Sequence, residues 1–206
     1  VGLDGKIILV EWVGGLHAPK GMGLYKNYLY VADLTEVVVI DTAKSEVIKR
    51  IHVPNAEGLN DITIDPKGII YVSDSKTKRV YRIKGNDANP HVEGLQGPNG
   101  ILWLKENLYI LDKGGLYKVE YDRKLTRLAD GMEGGTDGLV AVYDKEFIVS
   151  CWAGVIYYVF PDGSKEILLD TRREKINAAD ICYDPATRML YVPTFWKNSV
   201  VAYELK

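Results

Sequence analysis

The sequence predicts an all-β fold, a β-propeller of four-stranded antiparallel blades, and three observations carry that prediction. First, one short strand motif recurs: Leu29-Tyr30-Val31-Ala32-Asp33, Ile70-Tyr71-Val72-Ser73-Asp74 and Leu108-Tyr109-Ile110-Leu111-Asp112, then the drifted copies Phe147-Ile148-Val149-Ser150-Cys151 and Leu190-Tyr191-Val192-Pro193-Thr194. Second, their last positions lie 41, 38, 39 and 43 residues apart, a period that means a radial array of small sheets. Third, no stretch shows helical periodicity with caps, and residues 171–175 read as a loop rather than a helical turn.

Each repeat divides into four strands. In the second copy Ile62-Thr63-Ile64 is the first, and the turn Asp65-Pro66-Lys67-Gly68 follows, with Pro and Gly where a tight turn wants a fixed or a positive φ. Residues 70–73 form the second strand, Arg79-Val80-Tyr81-Arg82-Ile83 the third, and the stretch near His91 and Val92 the outer fourth. Apolar residues alternate or run on for four to six positions, as strands buried between stacked sheets require. The ends of the chain fit the same scheme. The turn Phe160-Pro161-Asp162-Gly163-Ser164-Lys165 joins a third strand to a fourth, and Gly2-Leu3-Asp4-Gly5-Lys6 repeats it. Residues 7–13 then read as an outer strand, while the last repeat stops after three. The expectation is one domain over residues 1–206, with five blades closed by pairing of residues 7–13 with residues 199–205.

Composition agrees with a globular domain and narrows function. Apolar residues make up 47% and charged residues 26%, and 14 tyrosines against 3 phenylalanines suit half-buried strands. A net charge of −2 with Lys and Arg scattered along the chain speaks against nucleic acid as a partner. No apolar run approaches the ~20 residues of a membrane-spanning helix. Cys151 and Cys182 are too few for a disulfide scaffold, and simple burial is favoured over a bridge. The chain opens on Val1, a start that leaves the compartment open and slightly favours a secreted or periplasmic form.

Because the repeat is radial, equivalent positions form rings. The first-strand copies Pro19-Lys20-Gly21, Asn60-Asp61-Ile62, Pro98-Asn99-Gly100, Thr136-Asp137-Gly138 and Ala179-Asp180-Ile181 place Lys20, Asp61, Asn99, Asp137 and Asp180 around one channel mouth. The second-strand ends Asp33, Asp74, Asp112, Cys151 and Thr194 share that face. For them, capping of turns and loops is the favoured reading. For the first-strand column a functional site is equally well supported, because three carboxylates and an amide converging on one axis suit a hard cation. Trp152 and Trp196 follow the second-strand ends and are expected to wall a pocket at the mouth, and His17 precedes the first-strand column. His52 and His91 fall in outer strands. No zinc spacing, nucleophile elbow or phosphate loop is present.

The trio Leu59-Asn60-Asp61, Pro98-Asn99-Gly100 and Thr136-Asp137-Gly138 resembles the family of senescence marker protein (regucalcin), gluconolactonase and luciferin-regenerating enzyme, with a wider likeness to NHL-type propellers. The resemblance implies that Asn60, Asn99 and Asp137 hold one divalent cation, expected to be calcium with Asp61 or Asp180 and waters completing the shell. It also implies that Asp137 is the general base of a lactone or ester hydrolase. Two features depart from the family. Its fourth ligand, the glutamate of an early Glu-Gly-Pro motif, has no counterpart, and Gly58 stands where the family has a substrate-gripping arginine. Relatives have six blades, so a six-bladed form lacking most of its first blade is the alternative architecture. The alternative function is a non-catalytic propeller that binds a small molecule, a sugar or a protein at its mouth.

Overall fold

The computed structural model describes Gly2 and residues 5–206. It is a five-bladed β-propeller with almost no helix. Blade 1 consists of β1 (Pro19–Tyr25), β2 (Tyr28–Asp33), β3 (Glu36–Asp41) and β4 (Glu46–His52), and blade 2 of β5 (Leu59–Ile64), β6 (Ile70–Asp74), β7 (Arg79–Lys84) and β8 (Asp87–Val92). Blade 3 comprises β9 (Pro98–Leu104), β10 (Asn107–Asp112), β11 (Gly115–Val119) and β12 (Leu125–Ala129). Blade 4 comprises β13 (Thr136–Tyr143), β14 (Glu146–Cys151), β15 (Val155–Val159) and β16 (Lys165–Asp170). Blade 5 has β17 (Cys182–Asp184), β18 (Met189–Pro193) and β19 (Val200–Glu204). Neighbours in sequence are neighbours in each antiparallel sheet, and the first strands pack in turn: β1 on β5, β5 on β9, β9 on β13, β13 on β17.

The second strands read as continuous apolar runs because both of their faces are buried. Along β10, Leu108 and Ile110 pack towards blade 2, joining Val80, Val92 and Ile101. The alternate residues Tyr109 and Leu111 pack towards blade 4, against Phe147 and Val149. Along β14, Phe147 and Val149 serve that cluster while Ile148 turns to blade 5, beside Leu190 and Val192. With a period of two and a neighbour on each side, the central positions of these strands are apolar on both faces.

The first strands come so close near the axis that glycine is needed. A Cβ on Gly100 would lie 2.2 Å from the Asp137 carbonyl oxygen, and one on Gly138 would lie 2.5 Å from the Ile181 amide nitrogen. These glycines follow Asn99 and Asp137, so close packing places those polar side chains at the centre.

The expected closing pair does not form. Blade 5 is three-stranded, ordered β17-β18-β19, and residues 7–13 lie in no strand. Blade 1 takes up the end of that segment instead. Val13 and Leu16 cover its flank of Val31, Val38 and Ile40, and the Trp12 indole donates to Ser45 Oγ at 2.7 Å. Burying that flank and satisfying the indole hold the segment's base away from β19.

Candidate functional site

Two columns of polar residues meet on the face where first strands begin and second strands end, because antiparallel pairing sets Thr136 opposite Cys151, Leu59 opposite Asp74 and Pro98 opposite Asp112. The second-strand aspartates are structural. Asp33 accepts the amides of His17 (2.9 Å) and Ala18 (2.6 Å), Asp74 those of Glu57, Lys76 and Thr77 at 2.8–2.9 Å, and Asp112 those of Gln96 and Gly97. Each clamps the loop that enters its blade, which is why the chain repeats Asp at this place. Burial alone would raise the acids of Asp33 and Asp74, but these amide bonds outweigh it and hold both below the usual range.

The first-strand residues behave differently. Burial, then the neighbouring Asp180, pushes the Asp137 carboxyl up to about 7, against a bond from the Asn99 side chain and the charge of Lys20. Asp180 is pushed up to about 6 by burial, with Lys20 opposing. Asp61 is also raised, by burial and then by Asp180, while amides of Ile101 and Ile62 oppose. Asp137 thus feels Asp180, Asn99 and Lys20, Asp180 feels Lys20, and Asp61 feels both Asp180 and Asp137. Two oxygens here, Asn99 Oδ1 and Asp180 Oδ1, are buried with no hydrogen-bond partner. Buried acceptors are rarely left so.

The oxygens are unequally free. Asp61 Oδ1 accepts the Ile62 amide at 2.7 Å and Oδ2 the Ile101 amide at 2.8 Å, so Asp61 ties blade 2 to blade 3. Asn60 donates its amide nitrogen to Ser75 Oγ, which donates to the Pro98 carbonyl. The oxygens of Asp61, Asp137 and Asp180 do not form a mutually close trio. Among the described residues the trio within 4.8 Å is His17, Asp33 and Glu36. There His17 Nδ1 lies 3.3 Å from Asp33 Oδ2 while Arg50 pairs with Glu36; His17 attends the blade 1 clamp rather than the axial carboxylates.

Trp152 and Trp196 stand on the blade 4 and blade 5 side of this face. Phe195, which opens a 3-10 turn (Phe195–Lys197), links them: its ring meets Trp152 edge-on at 4.6 Å and Trp196 at 4.8 Å. All three are exposed. Phe195 has φ +46°, a costly conformation for a bulky residue. Sequence reading missed Phe195, although it follows the second-strand column directly. It also missed Ser73 and Ser150, whose hydroxyls accept the amides of Asp61 and Gly138 and brace the axial strands; both precede the column by one residue, which was the available signal. Cys151 and Cys182 are both free, the first buried and the second exposed.

No protein-family model and no curated protein matches the sequence. Solved structures do resemble it. A virginiamycin B lyase from Staphylococcus aureus with quinupristin superposes with a TM-score of 0.74 at 14% identity, over 92% of this chain and 67% of that one. A chain of a nidogen/laminin complex gives 0.77 at 19%, over 91% and 76%. The extracellular domain of a one component system from B. thetaiotaomicron gives 0.63 at 14%, over 90% of this chain and 27% of that one. At these identities the likeness shows the β-propeller fold. No helix is long and apolar enough to cross a membrane among the described residues.

Proposed function

We propose that the axial mouth is a divalent-cation site of the gluconolactonase-like type, with Asp137 as general base of a lactone or ester hydrolase. The observation that carries this reading is the pair of partnerless buried oxygens, Asn99 Oδ1 and Asp180 Oδ1, beside Asp137. Carboxylate and amide oxygens match a hard cation such as calcium, so the donor chemistry fits. Asn99, Asp137, Asp180 and Asn60 are the residues that would hold it, while Asp61 has both oxygens committed to amides. When bound, a cation there supplies charge that polarises a substrate carbonyl.

The chain's own groups complete the proposal. Burial and Asp180 hold the Asp137 acid at about 7, where a carboxylate can take a proton from water and return it near neutral pH. The Asn99 side chain orients that carboxylate, and Lys20 offsets the axial negative charge. Calorimetry with calcium, magnesium, manganese and zinc, followed by a lactone screen with and without chelator, tests the reading. No heat and no thermal stabilisation with any of the four metals overturns it.

The exposed aromatic wall of Trp152, Phe195 and Trp196 favours a second reading, in which the mouth binds a small molecule, sugar or protein without turning it over. A nidogen/laminin complex among the similar structures is compatible with a protein partner. Cation binding without lactone turnover selects this alternative.

A further inference from the structure

Away from the axial oxygens, one group of side chains exceeds what its structural task requires. In blades 2 and 3 the clamp on the entering loop is made with backbone amides, that of Glu57 on Asp74 and that of Gln96 on Asp112. Blade 1 makes the same clamp with the amides of His17 and Ala18 on Asp33. It then adds two side chains of the kind that bind metals. Nδ1 of His17 lies 3.3 Å from Asp33 Oδ2 and 3.8 Å from Glu36 Oε1, and the three atoms lie within 4.8 Å of one another.

Strand pairing brings a second imidazole to the same place. Asp33 at the end of β2 pairs with Glu36 at the start of β3, and Glu36 pairs in turn with His52 at the end of β4. Directly opposite residues share a face of the sheet, with Cβ atoms roughly 4.5–5.5 Å apart. His52 is exposed, so rotation about its side-chain bonds can carry the ring to Glu36. His17 and His52 stand 35 residues apart in the chain, a distance that hides the pair from any search for zinc spacing. Only the folding of blade 1 joins them.

We propose that His17, Asp33, Glu36 and His52 form a zinc site that staples the loop entering blade 1 to the outer strand of that blade. The spacing fits the ion. Zinc held tetrahedrally at about 2.0–2.1 Å sets its ligand atoms roughly 3.3–3.4 Å apart, whereas an N–H···O hydrogen bond is normally about 2.7–3.2 Å long. The contact between His17 and Asp33 has the metal spacing. The acceptor positions fit as well. A carboxylate offers about four; Asp33 Oδ1 takes the amides of His17 and Ala18, and Oδ2 takes the His17 amide again. The position that remains faces Nδ1. Those amides orient the carboxylate, as outer-shell partners orient a metal ligand. Arg50 donates to Glu36 Oε1 and to the Gly15 carbonyl, so Glu36 meets the ion through its second oxygen or by releasing Arg50. Two imidazoles with two carboxylates select zinc over calcium, which takes oxygen ligands. The site shares no residue with the axial group and does not depend on the function proposed for it.

Zinc calorimetry on Asn99→Ala protein, which lacks an axial oxygen, tests the proposal together with NMR of the imidazole nitrogens. We expect one zinc per chain and a melting temperature raised by roughly 5–10 °C at a hundred times the dissociation constant. Zinc should shift the signals of His17 and His52 and leave His91, the third histidine, in place. His17→Ala should abolish this binding while the metal-free melting temperature stays within about 2 °C, because the clamp uses the backbone amide at that position. Glu36→Gln and His52→Ala should each weaken binding by at least the roughly 10–100-fold that loss of an outer-shell partner costs. No zinc heat, zinc binding that survives His17→Ala, or a His52 signal that ignores zinc would each overturn the site. None of these results bears on the axial reading, whose metal heat is lost in Asn99→Ala and kept in His17→Ala.

Discussion

Asp74 and Asp180 sit on the same face of the same propeller, one at the end of a second strand and the other just before a first strand, yet their chemistry is opposite. Asp74 accepts three amides and its acid is held low. Asp180 has a buried oxygen with no partner and its acid is pushed up to about 6. The difference teaches that a carboxylate's role is set by the groups facing it rather than by its place in a repeat. A carboxylate surrounded by donors clamps backbone. One surrounded by other carboxylates is unstable when ionised, and that instability is what a cation or a proton can relieve.

The sharpest way to break this comparison is to delete one residue of each kind. Asp74→Ala leaves the amides of Glu57, Lys76 and Thr77 without their acceptor, and should cost about 2–4 kcal/mol. In thermal unfolding that is a fall of roughly 5–15 °C for a domain of this size. Asp180→Asn, at pH 8 in metal-free buffer, should leave the melting temperature unchanged or raise it, because it removes a buried charge facing Asp137. Equal losses from both variants would refute the distinction.

The pH dependence is of comparable size. Asp137 and Asp180 have acids raised from 3.8 to about 7 and about 6, so the folded state binds protons there that the unfolded state has released. Stability from these two groups is therefore full below about pH 4 and is lost as pH rises towards 7. Asp33 and Asp74 have lowered acids, so their contribution is present above pH 3.8 and lost as pH falls below it. Metal-free protein should be most stable near pH 4–5 and lose several kcal/mol, on the order of 5, by pH 8. Asp137→Asn should flatten the upper arm and leave the lower arm in place, as urea unfolding across pH would show.

Added cation should reverse that upper arm. At ten times its dissociation constant, calcium should stabilise the protein at pH 8 by about 1.4 kcal/mol. The effect should fade below pH 6 as Asp137 and Asp180 take up protons, and vanish in Asn99→Ala. Asp61→Asn offers the contrast: it should lower stability through the Ile62 and Ile101 amides, with the calcium increment retained.

How much of this is legible in the chain varies with the physics involved. The blades and both polar columns are legible because burial on two faces forces an apolar run, and a fixed radial period brings the residues at the end of each run into one ring. The loop-clamping role of Asp33, Asp74 and Asp112 is legible for the same reason. Closure is not: the apolar flank of Val31, Val38 and Ile40 takes up Val13 and Leu16, and that competition has no sequence signature. Asp61 has the sequence of a ligand candidate, because repeat position cannot show that amides from two blades already occupy it. The sequence neighbours of His17 place it near the mouth, whereas Asp33 and Glu36 draw it to blade 1. Phe195 escapes a sequence reading because the motif before it has drifted to Thr194.

The smallest expected effect on stability tests the aromatic side of the mouth. Trp196 is 72% exposed and meets only the edge of the Phe195 ring in aromatic contact. Trp196→Ala should therefore change stability by less than about 0.5 kcal/mol, and it should leave the calcium increment intact because no axial oxygen depends on it. If the wall receives a ligand ring, losing one stacking face is worth about 0.5–1.5 kcal/mol. Affinity for a small molecule bound at the mouth, or KM for a lactone that is turned over, should then weaken by roughly 2–10-fold. Under the proposed mechanism kcat should hold, since Asp137 and Asn99 keep their bond. A fall in kcat with KM unchanged would place Trp196 in the chemistry rather than the wall. A large loss of stability would instead mean that this rim of the propeller is held together by its aromatic cluster, and the contrast between clamping and binding residues would have to be redrawn around blade 5.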